Sequence, residues 1–383
     1  MNKFDAIVVG AGYHGCACAY FLAKSGLSTL LVDAGEVGCG ASGANFGSVQ
    51  VQDSSLGLSL ELTLLGAERM RTMEKELGQS FGYTPRGSLL VAENERQLPE
   101  LEKVYNGKKE AGLPVRWLTE KEVLEAEPNI APGSILAASY HKEAFVYPFH
   151  YLYALVNAGK EHGLKVMENV PVAALIMEAG ECRGIILKDG TEYRSDNVVV
   201  AAGAGTMAIC RTAGILVPVL TTKAESFVSE AIRPFLRNYY SSAGFFLDSH
   251  SQDGVSASLC VSQSIYGNML FAETTKPYES VDPIYHDCSS VEHCRRIKAE
   301  LVRVFPCLEN INILRSWVAS SPFTEDYEPY FGQSPIPGLI LASGFKSSVV
   351  MSAIVGETVA ELVSTGSCRF NLKQYTDRVS RVE

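Results

Sequence analysis

Short apolar runs and longer stretches of helical period alternate along the amino-terminal part of the chain. Phe4-Asp5-Ala6-Ile7-Val8-Val9 is compact, β-branched and apolar, the pattern of a strand buried on both faces of a parallel sheet. Gly10-Ala11-Gly12-Tyr13-His14-Gly15 follows at once, and residues 16–24 then carry Ala17, Phe21 and Leu22 on one face of a predicted helix that stops at Gly26. Residues 29–32 give a second buried strand, and Asp33 stands at its end. Strand, glycine turn, helix, strand and acidic residue thus occupy about thirty residues, the size of one parallel crossover unit.

Further along, residues 56–76 place leucines and charges at amphipathic helical spacing. Residues 86–92 predict a strand and 93–112 a mostly surface helix. Thr119 with Glu122 three positions on is a capping box opening a short helix that Pro128 ends. Residues 149–161 predict a helix stopped by Gly163, and residues 164–170, 173–177 and 184–188 the strands of one small sheet. Lys188-Asp189-Gly190-Thr191 is a hairpin signal, followed by the apolar run Val198-Val199-Val200 and by Ala201-Ala202-Gly203-Ala204-Gly205. Residues 223–275 alternate as antiparallel strands around a turn at Tyr266-Gly267-Asn268, residues 289–305 form a helix, and 339–342 a strand. The last long helix spans 350–363, with Ile354, Val355 and Val359 as its buried stripe.

Composition narrows the class. The 383 residues are 46% hydrophobic and 20% charged, which predicts a packed globular chain. Lys and Arg total 33 against 43 Asp and Glu, a net charge of −10 that argues against nucleic acid as a partner. Ten scattered cysteines, several in apolar segments, fit a reducing compartment and not a disulfide scaffold. The start at Met1 runs straight into the first strand, and no apolar stretch of about 20 residues is evident; no leader and no membrane span are expected, and the expected location is the cytoplasm. His286, Cys288, His293, Cys294 and Cys307 cluster without any usual zinc or iron–sulfur spacing, so no metal is expected.

The chemistry begins at the glycine turn. Gly10 permits a sharp bend, Gly12 lets the backbone approach a pyrophosphate, Gly15 allows close helix–strand packing, and the helix start, with Tyr13 and His14, favours phosphate. Asp33, followed by Ala34, can accept hydrogen bonds from a ribose and would repel a 2′-phosphate. The context makes this a dinucleotide fingerprint, and taken alone it leaves NAD and FAD open. Two segments favour FAD. Residues 35–47 form a glycine-rich loop in which Gly40, Ala41, Ser42, Asn45, Phe46 and Gly47 can wrap the phosphates and sugar-alcohol chain. The strand ending at Ala202 and Gly203 lets the backbone pass close to the cofactor.

These segments, in this order and with the closing region 315–360, resemble the D-amino-acid oxidase superfamily of FAD enzymes over nearly the whole chain. The run Gly43 to Asp53 is similar to the flavin subunit of bacterial hydroxyproline, proline and opine dehydrogenases. The resemblance implies an α/β fold: an FAD-binding Rossmann-like domain carrying an inserted α+β substrate domain on an antiparallel sheet. The nucleotide domain is drawn at 1–83, 143–215 and 311–383, and the substrate domain at 84–142 and 216–310. It also implies that Val172 meets the adenine, that Gly344, Lys346, Ser347 and Ser348 approach the redox ring, and that the FAD is non-covalent.

The implied activity is oxidation of the C–N bond of an amino acid, secondary amine or opine-like compound to an imine by hydride transfer to flavin N5. It would act as a dehydrogenase subunit whose partner subunits carry iron–sulfur centres or a second flavin. A stand-alone oxidase using oxygen, or an electron-relay subunit without its own substrate, are the alternatives. Lys346 is the leading catalytic candidate, as a cation beside the ring or a substrate-carboxylate partner. Gln50 and Gln52, two residues apart, are expected on one face beside the flavin or substrate. Family members carry a carboxylate-binding arginine where this chain has Ser321; Arg315, on the same predicted strand, is the candidate replacement.

Overall fold

The computed structural model describes residues 2–248, 258–277, 289, 291–346 and 348–381. Its first sheet grows from the amino-terminal unit. Strand β1 (Ala6–Val9) is wholly buried, helix α1 (Tyr13–Lys24) packs over it, and strand β2 (Thr29–Val32) returns beside it in parallel. The complete sheet has six strands, ordered Tyr330–Gln333, Leu339–Ser343, Val198–Val200, β1, β2 and Lys165–Met167, and only the first of these runs antiparallel to its neighbour. Parallel strands need covered faces. One face is covered by α1 and the helices Pro148–Glu161 and Ser348–Thr365. The other is covered by a three-stranded sheet of Val172–Glu178, Glu181–Leu187 and Glu192–Arg194. The segment 164–170, expected in that small sheet, instead pairs with β2 through Lys165–Met167. Alternation within three residues cannot name a partner strand, and β2 offers a free parallel edge.

The second sheet has nine strands. Its order is Ile313–Phe323, Leu220–Ala231, Asn268–Pro277, Cys260–Gln263, Asn238–Ser242, Thr84–Ala92, Ala137–Phe145 and Ser48–Val49, with Arg116–Thr119 also on Ala137–Phe145. It extends beyond the drawn boundaries at 142 and 310. Ala137–Phe145 continues past residue 142, and Ile313–Phe323 pairs along the length of Leu220–Ala231. Strand hydrogen bonding is non-local, so a boundary placed by composition stops short of where pairing stops. Thr119 does cap Glu120–Ala126: its backbone N–H and its Oγ1 both donate to Glu122 Oε2 at 2.8 Å.

Helix Ser348–Thr365 ties the layers together. By length and composition it would cross a bilayer, contrary to the expected lack of any such stretch, but 61% of it is buried in this fold. A Cβ on Gly356 would lie 2.7 Å from the main chain of Ala17, so the helix meets α1 backbone to backbone at that point. The start of this helix faces the space between the two sheets.

Candidate functional site

One cavity of about 820 Å³ opens where the carboxyl ends of β1 and β2 meet one face of the nine-stranded sheet, within the range of ligand sites. Its first wall is the glycine turn. Gly10 adopts φ +106°, and a side chain there would overlap the main chain of Ala201. A Cβ on Gly15 would in turn overlap the oxygen of Gly10, so Gly15 sets the packing and does not line the cavity. Gly12 is the N-cap of α1 and supplies no side-chain cap, which leaves the first turn to whatever lies in front of it. Ser42 stands opposite: its Oγ accepts from the Tyr13 N–H at 3.0 Å.

Asp33 closes the adjoining wall. Its Oδ2 accepts from Ala11 N–H at 2.5 Å and Oδ1 from Gly35 N–H at 2.8 Å, and burial pushes its carboxyl upward. Ala34, Val172, Ala202 and Gly203 line the same stretch. The loop segment adds Gly40, Ala41, Ser42, Asn45 and Phe46. Asn45 holds that loop through Nδ2 to Ser42 O at 2.5 Å and to Tyr13 Oη at 3.1 Å, and through Oδ1 from Gly47 N–H at 2.7 Å. Gly47, expected to touch the cofactor, is not in the wall. It turns at φ +73° where a Cβ would overlap the Val146 oxygen, so its task is to seat the loop on the chain leading to Pro148–Glu161.

The remaining wall brings together residues far apart in sequence. His14 stacks on Phe345 with centroids 4.1 Å apart, and burial pushes the imidazole down to about 3; its Nε2 is buried with no hydrogen-bond partner. Gly344, Lys346, Ser348 and Val349 lead into the last helix, whereas Ser347 lies outside the described residues. Lys346 donates from Nζ to Asp53 O at 2.9 Å and sits 4.9–5.2 Å from the ring centroids of Phe245, Phe246 and Tyr327. Burial lowers its pKa, and the charge of Asp53 opposes that. The nine-stranded sheet presents Ala224 and Ser226, Tyr239 and Ser241, and Ala319 and Ser321, pairs whose spacing puts them on one face, together with Cys260 and Ala272, which are directly paired across two strands.

Two expectations fail here. Arg315 is exposed and lies over the Trp317 ring at 5.2 Å, outside the cavity wall. The strand enters the cavity four residues later, at Ala319. Gln50 and Gln52 do not share a face: Gln50 lines the cavity, but Gln52 is buried between Ser88 and Ser139, donating from Nε2 to Ser88 Oγ at 2.9 Å and accepting from Ser139 Oγ at 3.1 Å. The strand stops at Val49, and just beyond it Glu143 Oε1 accepts from Val51 N–H at 2.7 Å and from Gln52 N–H at 2.9 Å, which turns the chain out of the extended path. Asp53, which follows Gln50 and Gln52 after the glycine-rich loop, lines the cavity, and sequence reasoning missed that Lys108 belongs to the same structure. Lys108 is 4% exposed and donates from Nζ to Ser54 O, and burial pushes it down to about 8. Phe245 and Phe246, in the short helix Gly244–Asp248, and Tyr239 and Cys260, on strands, were missed as well; for Tyr239 the alternation along Asn238–Ser242 was the only local signal. Of the His/Cys grouping, His286 and Cys288 lie outside the described residues, and no three potential ligands gather among the described ones.

These features fit an adenine dinucleotide bearing a redox ring. The helix start, which has no N-cap side chain, suits a diphosphate, the glycine contacts form a cradle that side chains would fill, and His14, whose buried Nε2 has no partner, lines the cavity. Comparison with known proteins agrees. A family model described as FAD dependent oxidoreductase matches residues 5–362. Sarcosine oxidase subunit beta of Rhodobacter capsulatus is 24% identical, with 98% of this chain and 89% of that protein covered. Glycine oxidase of Geobacillus kaustophilus is 26% identical over 98% of this chain and 97% of its own. Its crystal structure superposes with TM-score 0.86 at 24% identity, covering 98% of both chains. L-proline dehydrogenase from P. horikoshii superposes with TM-score 0.84 at 22% identity, covering 97% of this chain and 96% of that one.

Proposed function

The chain belongs to the FAD dependent oxidoreductase family, and from that premise we propose that it oxidises the C–N bond of an amino acid, a secondary amine or an opine-like compound. Its cofactor is FAD, held non-covalently. When bound, FAD supplies a two-electron acceptor; the chain supplies binding, orientation and a dry electrostatic setting. Gly10, Gly12 and the start of α1 hold the diphosphate, and Asp33 takes the ribose. The start of Ser348–Thr365 offers main-chain N–H groups that favour negative charge on the redox ring.

Lys346 carries the reading. A part-buried ammonium with one hydrogen bond to a carbonyl and three aromatic rings around it is a cation kept for an anion that arrives with the substrate. In this role it binds the substrate carboxylate in place of the arginine that family members carry at the position of Ser321, which itself lines the cavity. Phe245 and Phe246 exclude water from that pair, which strengthens it. The resulting imine hydrolyses in water without further help from the chain. Anaerobic addition of a panel of amino acids, N-alkyl amino acids and opine-like compounds is expected to bleach the flavin with at least one of them. No bleaching by any would overturn the reading in favour of an electron-relay subunit.

A dehydrogenase subunit is the form we favour over a free oxidase. Support for the subunit part of that reading comes from the alignment of 98% of the chain with sarcosine oxidase subunit beta, a name that does not bear on the choice of electron acceptor. Partner subunits bearing an iron–sulfur centre or a second flavin would then receive the electrons. Co-purification from the native host, with reoxidation in air slow compared with an artificial acceptor, is the expected result. Fast reoxidation of the isolated chain by oxygen would select the stand-alone oxidase.

A further inference from the structure

We propose that Asp53 is the specificity-determining carboxylate of this site: it engages a positively charged nitrogen of the substrate while Lys346 takes the substrate's carboxylate, so the site selects zwitterions over plain carboxylates. The proposal rests on the reading of the cavity as a substrate site and goes one step beyond it.

Asp53 lines the cavity, and its Oδ1 is buried without a hydrogen-bond partner. No ion pair reaches its carboxylate among the described residues, although its own main-chain oxygen accepts from Lys346 Nζ at 2.9 Å. An unsatisfied buried carboxylate oxygen costs free energy. Oδ1 itself is closed off, but Asp53 as a whole is half-buried and lines the cavity, so a cation beside its carboxylate offsets the cost by charge. The residue is also held too firmly to turn away. On one side Glu143 grips the amides of Val51 and Gln52, and Gln52 is locked between Ser88 and Ser139. On the other, Lys108 binds Ser54 O, and Ser54 Oγ donates to Val51 O at 2.7 Å. Clamping both neighbours of one residue presents that residue in a single geometry, which is what recognition requires.

Charge balance points the same way. Lys346 and Lys108 offset Asp53 and Glu143, so the group is neutral when all four are ionised. A zwitterion entering the cavity preserves that balance. A plain carboxylate adds an uncompensated negative charge beside Asp53, and burying such a charge is unfavourable.

The test uses the FAD-loaded enzyme and two compounds of nearly equal shape, trimethylglycine and tert-butylacetate, which differ by a positive nitrogen in place of a carbon. Neither has a nitrogen lone pair to oxidise, so binding is read from the shift of the flavin absorption bands. The wild type is expected to bind trimethylglycine at least tenfold more tightly. Asp53→Asn should erase that preference by weakening trimethylglycine alone, and Asp53→Glu should keep most of it. Lys346→Met should weaken both compounds. Equal binding by the wild type, equal weakening of both by Asp53→Asn, or no band shift in an enzyme that amines bleach would each overturn the role of Asp53 and leave the amine-oxidising reading intact. An enzyme bleached by no amine and shifted by neither compound would overturn that reading itself. Flavin content and thermal midpoint confirm that each variant is folded before it is scored.

Discussion

Lys346 meets Asp53 through the main chain: its ammonium donates to the Asp53 carbonyl oxygen at 2.9 Å, joining the segment before the last helix to a loop 293 residues earlier. The bond fixes where the cation sits without neutralising it. Its charge therefore remains available to a ligand, in a setting where burial already disfavours it.

That arrangement predicts a large effect from a small change. Lys346→Met keeps the length and removes the charge; flavin reduction by substrate, measured by anaerobic rapid mixing, should slow by well over tenfold. Arg315→Ala, which removes an exposed side chain resting on Trp317, should stay within about twofold of the wild type, since surface changes are usually worth under about 0.5 kcal/mol. Equal loss in the two variants would remove Lys346 from the site.

The glycine turn predicts two outcomes of different kind. A Cβ on Gly15 meets main chain, the Gly10 oxygen, which cannot retreat without moving β1. Gly15→Ala should cost about 1–3 kcal/mol or more through overpacking and yield protein with little flavin. A Cβ on Gly12 meets only Ser42 Oγ, at 2.8 Å. Gly12→Ala should fold but bind FAD weakly, and Ser42→Ala in the same chain should restore much of the stability lost though not the flavin affinity. Denaturant midpoints and flavin stoichiometry separate the two effects.

The contrast shows which parts of this molecule are legible in its sequence. The unit from Phe4 to Asp33 is local: period, turn glycines and terminal carboxylate all lie within one crossover, and each constrains its neighbours. The Thr119–Glu122 cap is legible for the same reason. Arg315 was not, because alternation puts it on the same face as Ala319 and Ser321 without saying how far along the strand the cavity begins, which only the pairing of Ile313–Phe323 with Leu220–Ala231 fixes. Gln52 leaves the face of Gln50 because the period-two relation holds only for extended chain, and Glu143, ninety-one residues away, draws the Gln52 amide to its carboxylate. Lys108 lies on the inward face of Leu98–Glu110, seven residues after the buried Leu101, but nothing local says that this inward lysine meets Ser54.

Lys108 carries a pH signature. Burial pushes it down to about 8 from its ordinary 10.5, so between those values the unfolded chain binds the proton that the folded chain has released. Stability must then rise with pH across that window. The penalty is present in full below about pH 8 and gone above about 10.5. Relative to Lys108→Met, the wild type should gain roughly 1–3 kcal/mol between pH 8 and 10.5, measured by urea unfolding at fixed ionic strength. A constant difference between the two proteins would show that Lys108 keeps an ordinary affinity for its proton.

His14 carries the opposite edge of the pH profile. Its ring is stacked on Phe345, its Nε2 has no partner, and burial pushes its pKa from 6.5 down to about 3. The folded chain keeps the imidazole neutral down to about pH 3, whereas the unfolded chain takes up its proton near pH 6.5. Its contribution is therefore whole above 6.5 and drains away as pH falls toward 3. His14→Phe retains a ring against Phe345 and removes the titration. In flavin-free protein the wild type should lose about 2 kcal/mol or more relative to His14→Phe between pH 7 and 4.5. Unfolding curves at half-unit pH steps measure it, and parallel acid profiles for the two proteins would mean that the imidazole reaches solvent or a proton acceptor in the folded state.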